Sequence, residues 1–226
     1  MGREGWQRIG DGAWLKQFSL KLLGAEFNRT VTVFDRNEGN VLVHSTGPFS
    51  EEDYRFLEAL GKHIHFVDAT CFHDTLTKKV LQARPEASFY APAGFSVKDE
   101  RIQPIAALGP ILGDAIEMIP LRGMPKVNEV EFYDRRNGIL VVADLFFNFT
   151  ESNAWTRWFV RVTAGLREYP GMSRLFRMMI KDKAAFQESI DQLRALDFDT
   201  LVVGHGQPIR ENAKKRFTNA LDRYGY

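Results

Sequence analysis

Strand-like apolar runs alternate with amphipathic helical stretches along the whole chain, and this restricts it to an α/β fold. In the first half, Thr30-Val31-Thr32-Val33-Phe34 alternates polar and apolar residues. Asn37-Glu38-Gly39-Asn40 reads as a turn, and Val41-Leu42-Val43-His44 resumes a strand. Ser50 with Asp53 makes a capping-box pattern. It opens a helix with Phe56, Leu57 and Leu60 on one face, stopping at Gly61. A strand at 64–69 follows. Asp74 is placed to N-cap a second helix, with Leu76 and Val80 on one face and Pro85 past its end. Residues 88–91 are a short strand.

The second half repeats the scheme. Residues 95–128 are irregular and rich in Gly and Pro, with short strands expected around Ile105 and at 116–121. Strands at 129–133 and 138–147 are joined by a turn at 135–137. Region 152–180 reads as helical and aromatic. A helix from about 182 to 196 carries Phe186, Ile190 and Leu193. A strand at 200–203, a Gly204-His205-Gly206 turn and a helix carrying Ala213, Phe217 and Leu221 close the chain. Each half runs strands first and helix–strand units after. That order predicts two similar layers packed sheet to sheet, with helices outside.

With 226 residues, 44% of them hydrophobic, the chain can bury a large core. A single domain over 1–226 is expected, with a helical insertion at about 151–183. The net charge of +1 gives no bulk preference for nucleic acid or an anionic membrane. The single cysteine, Cys71, excludes an intrachain disulfide; this fits a reducing compartment, and the expected location is cytoplasmic. The N-terminus lacks an apolar signal-type run. No apolar stretch approaches the ~18 residues of a spanning helix, so no transmembrane segment is expected.

His73, Asp144 and His205 each stand at or just after the end of an apolar run: 66–69, 139–143 and 201–203. Ligands of open α/β sheets gather beyond the carboxyl ends of strands. Two imidazoles and a carboxylate placed there point to a metal centre or its remnant.

Several segments together resemble the metallo-β-lactamase-like superfamily: Val67-Asp68-Ala69-Thr70-Cys71-Phe72-His73-Asp74, Val142-Ala143-Asp144, and Val202-Val203-Gly204-His205-Gly206-Gln207-Pro208. Residues 41–45 and 85–92 look like an uncharacterised, metal-poor branch of it. The resemblance covers nearly the whole sequence. It implies a four-layer αββα sandwich of two mixed sheets, with the site at one edge of both.

The departures bear on function. Two-metal members usually carry Thr-His-x-His-x-Asp-His after the strand. Here the stretch is Thr70-Cys71-Phe72-His73-Asp74-Thr75-Leu76. His73 falls on the second histidine, while Cys71, Thr75 and Leu76 replace the other ligands. Met124 stands where a further histidine would fall. By resemblance, Asp144 takes the bridging position and His205 the last histidine. An ordinary two-metal site is excluded. One zinc, iron or manganese ion on His73, Asp144 and His205 has the three-ligand count of a catalytic site, with Cys71 as an additional candidate ligand. His44, Asp74 and Met124 are candidates for the pocket rim.

Blander roles stand beside these. His73 or His205 would be a natural hydrogen-bonding partner for the Asp144 carboxylate, metal or not. His205 between glycines reads equally as a strand-end turn, Cys71 as a small buried residue and Asp74 as an N-cap alone. His63-Ile64-His65 stands at the start of its strand, far from the expected site, and reads as partly exposed. In 151–183, seven cationic against three acidic residues leave a local +4 beside Trp155, Trp158, Phe159 and Val162. This region reads as an insertion with its own core. Its sharper readings are a lid, a homo-oligomer interface, or a surface for an anionic or lipid-like ligand, with Arg161, Arg167 and Arg174 as candidate partners.

Three functions follow: a hydrolase with a reduced, at most mononuclear metal site, acting on a small-molecule ester, thioester, amide or phosphoester; a metal-free small-molecule-binding protein; and an interaction protein using 151–183. No feature indicates nucleic acid.

Overall fold

A computed structural model describes residues 5–36 and 39–226. Asn37 and Glu38, the first half of the expected turn, lie outside the described residues, as do residues 1–4. The chain divides into two compact units, residues 1–18 with 30–114 and residues 19–29 with 115–226.

The first unit is organised on a mixed seven-stranded sheet with its strands in sequence order. They are β1 (Gln7–Gly10), β2 (Ala13–Leu22), β3 (Ala25–Asp35), β4 (Asn40–His44), β5 (His63–Val67), β6 (Ser88–Ala91) and β7 (Ile102–Pro104). The tip of the β2–β3 hairpin belongs to the second unit. From β4 to β7 the pairing is parallel; the first two crossovers each carry a helix, and the third, 92–101, is a loop. Helix α1 (Glu51–Leu60) starts at the predicted capping box, Ser50 with Asp53, and ends at Gly61. Asp53 Oδ1 also accepts from Trp6 Nε1 at 2.9 Å and pairs with Lys16 Nζ at 2.6 Å. Val33, Val43, Phe56, Leu57, Phe66 and Phe89 are among the residues of this unit's core.

The structure overturns two expectations, the Asp74 cap and the exposure of His65. Helix α2 runs Thr77–Ala83, and Asp74 does not cap it. Instead Thr77 Oγ1 donates to the buried Asp68 carboxylate at 2.6 Å, and Asp74 accepts from the Ser96 hydroxyl. The short strand expected around Ile105 forms just before it as β7, and Ile105 itself starts a 3-10 helix, Ile105–Leu108. Pro104, with no N–H to give, ends β7 just before it. His65 is buried, because Asn40 Oδ1 at 3.0 Å and the Tyr90 hydroxyl at 3.4 Å accommodate both ring nitrogens. His63 is exposed, as expected.

Helix α3 (Gly109–Leu112) lies near the end of the first unit, and the second unit is organised on a smaller sheet. Its four-stranded sheet consists of β8 (Ile116–Pro120), β9 (Val130–Asp134), β10 (Ile139–Asn148) and β11 (Thr200–Gly206). β8, β9 and β10 are antiparallel and β11 adds in parallel. Helix α6 (Lys183–Ala195) is N-capped by Asp182. It packs Phe186, Ile190 and Leu193 into one cluster with Phe217 and Leu221 of helix α7 (Ala213–Asp222). The stretch expected to be helical over 152–180 holds two helices, α4 (Ala154–Thr163) and α5 (Arg174–Met178). Gly165 in the left-handed region and Pro170 interrupt it. Phe149, Val160 and Leu166, with Phe27 and Phe159 against them, form a separate cluster under α4. No described helix is long and apolar enough to cross a membrane.

Candidate metal centre

Asp144 owes its position to a bulge. β10 pairs with β11 at Val142↔Val203 and again at Phe147↔His205, so five steps along one strand match two along the other. The strand runs Ile139–Asn148, close to the expected 138–147, so Asp144 lies within it and not just beyond its end. Within the bulge the amides of Ala143, Asp144 and Leu145 leave the ladder. All three donate to Glu129 Oε1, at 3.1, 2.9 and 2.9 Å. Buried N–H groups need such an acceptor.

Glu129 and Glu131 are both fully buried. Burial first, then the Asp144 charge, push Glu129 up to about 8, against the amides that favour its charged form. Burial and the adjacent Glu129 carboxylate raise Glu131 well above the usual range. The amides make Glu129 the better seat for negative charge and Glu131 the better seat for a proton. Sequence reading missed this pair. Its signal was present: two carboxylates alternating with Val130 and Phe132 on an otherwise apolar strand.

The His205 ring is held by two contacts within the same unit, Asn28 and Phe147. His205 lies inside β11, not in a turn beyond it. Its Nδ1 is 2.9 Å from the Asn28 carbonyl oxygen. A carbonyl only accepts, so Nδ1 carries a hydrogen, and in the neutral form of the ring the lone pair would be at Nε2. Phe147 stacks on the imidazole, 5.5 Å between centroids and 5° from parallel. Next in the chain, Gly206 has φ +97°, and a Cβ there would stand 2.0 Å from the Asn148 carbonyl oxygen. Only glycine permits that approach. Gly204 is not among the positive-φ glycines, so the expected pair of turn glycines reduces to one.

His205 Nε2 and Asp144 Oδ1 lie 3.8 Å apart. That is beyond hydrogen-bond length. With Nδ1 committed to Asn28, His205 Nε2 and Asp144 Oδ1 bring two potential ligand atoms to one place. This donor chemistry fits a divalent ion, and an imidazole whose other nitrogen is anchored on a carbonyl is the usual form of a metal-binding histidine.

In the first unit, His73 follows β5 on a loop tied down by Asp68. The Asp68 carboxylate accepts from the Thr46 amide at 3.0 Å as well as from Thr77. His73 is buried, and its Nδ1 lies 3.5 Å from Ser45 Oγ. Ser45 has φ +75°, an uncommon conformation for a side-chain-bearing residue. His44 is buried at the end of β4. Cys71 is half-buried and its thiol donates to the Ala93 carbonyl at 3.5 Å. Burial, then the Asp74 charge, push that thiol up. In the second unit Met124 is 1% exposed and packs in the main hydrophobic cluster.

No protein-family model matches the sequence, and no curated protein does. Solved structures do. A metallo-β-lactamase from Pontibacter korlensis is 12% identical over 96% of this chain and 98% of its own, with a TM-score of 0.60. An NDM/FIM-1-like metallo-β-lactamase from Erythrobacter litoralis, in its mono-zinc form, is 14% identical over 96% of each chain, with a TM-score of 0.59. The flavodiiron core of Flv1 from Synechocystis sp. PCC6803 is 13% identical over 96% of this chain and 60% of that one, with a TM-score of 0.59. At these identities it is the fold that is shared: two mixed sheets with their helices, as the sequence led one to expect, in a chain of metallo-β-lactamase-like fold.

Proposed function

We propose that this chain is a metallo-β-lactamase-like hydrolase with a reduced metal site, in which His73, Asp144 and His205 hold one zinc, iron or manganese ion. The observation that carries the reading is the Asp144–His205 pair. Its two donor atoms stand 3.8 Å apart, and the far nitrogen of the ring is already engaged by Asn28. Two imidazoles with a carboxylate are a familiar ligand set for a catalytic divalent ion. When bound, such an ion lowers the pKa of water to about 7 and polarises a carbonyl or phosphoryl oxygen. That chemistry suits a small-molecule ester, thioester, amide or phosphoester.

The chain's own groups have distinct roles in this reading. Asn28 and Phe147 fix the His205 ring, and Glu129 fixes the bulge that aims Asp144. Apolar Leu76 and Met124 take two of the positions that hold ligands in two-metal relatives, which limits the site to one ion. A solved neighbour in a mono-zinc form shows that one ion is compatible with this fold in that protein.

Metal analysis by elemental mass spectrometry, on untagged protein purified without chelators, tests the reading. About one ion per chain is expected in the wild type, and none in His73→Ala or His205→Ala. An empty wild type, even after incubation with zinc or manganese, overturns it. The protein would then be a metal-free binder.

A further inference from the structure

Helices α4 and α5 turn their buried sides, Val160 and Phe176, toward the interior of the second unit. Their outer sides are unusual. Trp155, Trp158 and Val162 recur at helical spacing along α4 and are all about half exposed. The two indoles stack, 5.0 Å between centroids. Trp155 Nε1 donates to the Leu23 carbonyl at 3.2 Å, at the tip of the β2–β3 hairpin. That tip presents Leu22 and Leu23 to solvent, the latter 77% exposed. On α5, Leu175 and Met178 are also exposed. Nearly every exposed large apolar residue among the described ones is therefore on this one unit, on α4, α5 or the hairpin tip.

Beside these residues is a cavity of about 570 Å³ lined by Arg161, Arg167, Arg174, Arg177 and Arg223, with Val162 on its wall. Glu168 is its only acidic lining residue, which leaves a net +4, and it pairs with Arg223 at 3.4 Å. Arg174 Nη2 donates to the Val162 carbonyl at 3.2 Å, and Arg177 lies 4.8 Å over the Tyr224 ring. Among the described residues, no carboxylate lies within ion-pair distance of Arg161, Arg167, Arg174 or Arg177. The chain as a whole carries only +1, so the charge is local.

We propose that this face docks on an anionic lipid bilayer. The arginines take headgroup phosphates, and Trp155, Trp158, Leu22, Leu23, Leu175 and Met178 enter the interface. Both halves of the patch are needed to choose this occupant. A soluble polyanion would satisfy the arginines but leave the indoles and leucines in water. A second copy across a two-fold axis would set one +4 cavity beside another. A surface of anionic lipid offers phosphate and hydrocarbon a few ångströms apart, and indoles favour that boundary. The inference does not rest on the metal reading.

The test is flotation of the full chain with phosphatidylcholine vesicles, with and without phosphatidylserine, at low and high salt. Wild type is expected to float only with phosphatidylserine, to be released by salt, and to show a blue-shifted tryptophan emission when bound. Trp158→Ser, and Arg161→Glu combined with Arg167→Glu, are each expected to lower the bound fraction by more than about tenfold. All these side chains are exposed, so the thermal midpoint should hold. If a variant unfolds, salt release of the wild type still decides. Absence of flotation, equal flotation without phosphatidylserine, or insensitivity to charge reversal would overturn the proposal. So would a thermal shift with inositol hexakisphosphate and no vesicle binding, which assigns the cavity to a soluble anion. A wild-type dimer by light scattering that Trp158→Ser dissociates, again with no vesicle binding, would assign the patch to self-association.

Discussion

Glu129 Oε1 accepts the Asp144 amide hydrogen at 2.9 Å while accepting those of Ala143 and Leu145 as well. One carboxylate oxygen thus holds the backbone that presents the proposed ligand. Glu129 never reaches solvent, so its role is to fix the strand, not to meet a substrate.

Glu129→Ala should therefore destabilise the protein by about 2–4 kcal/mol, because three buried amides lose their acceptor together. Urea unfolding at neutral pH measures this. A midpoint indistinguishable from the wild type would mean that the bulge holds itself.

Gly206→Ala should cost more than about 2 kcal/mol, since its methyl would stand 2.0 Å from the Asn148 carbonyl oxygen on a backbone already at φ +97°. Gly113→Ala makes a fair control: it too has a positive φ, +56°, but nothing lies within 4 Å of the added Cβ. Equal losses in both variants would place the cost in φ alone and remove the steric account.

His65 gives the protein an acid-side sensitivity remote from the proposed ligands. Burial, then the His63 charge, hold its imidazole below the usual value. Below about pH 6.5 the unfolded chain takes up a proton that the folded one refuses. Stability is thus present above that pH, falls as the pH drops through it, and levels off at the lowered folded value. His65→Gln should flatten the fall between about pH 7 and 5 in urea titrations; an unchanged slope would assign it to other groups.

Cys71→Ser should leave metal stoichiometry as it is. Thiolate is the binding form of cysteine, whereas this thiol is pushed up and donates to the Ala93 carbonyl. Loss of the ion in that variant would return Cys71 to the ligand set.

Local signals in the sequence carried far. The Ser50–Asp53 capping box, the apolar face of the helix from about 182 to 196 and the apolar runs of β5, β10 and β11 are patterns of neighbouring residues, and each formed close to where it was read. Features set by distant partners did not show. Asp74 reads as a cap until Asp68 takes the Thr77 hydroxyl. Gly204-His205-Gly206 reads as a turn until β10 pairs through it to Asn148. Glu129 reads as the start of a strand, and nothing near it announces the amides it serves 14 to 16 residues later.

The hairpin tip at 19–29 has a consequence for how the chain can be made. It belongs to the unit otherwise formed by residues 115–226, and its Glu26 amide bonds to Thr156 Oγ1, 130 residues downstream. During synthesis that tip emerges early and must wait, with Phe27 bare, until the Phe149–Phe159 segment that covers it leaves the ribosome. A gene fragment beginning at Ala115 would code for a unit with a hole where that ring belongs. To recover the second unit alone, one would have to splice the tip back on.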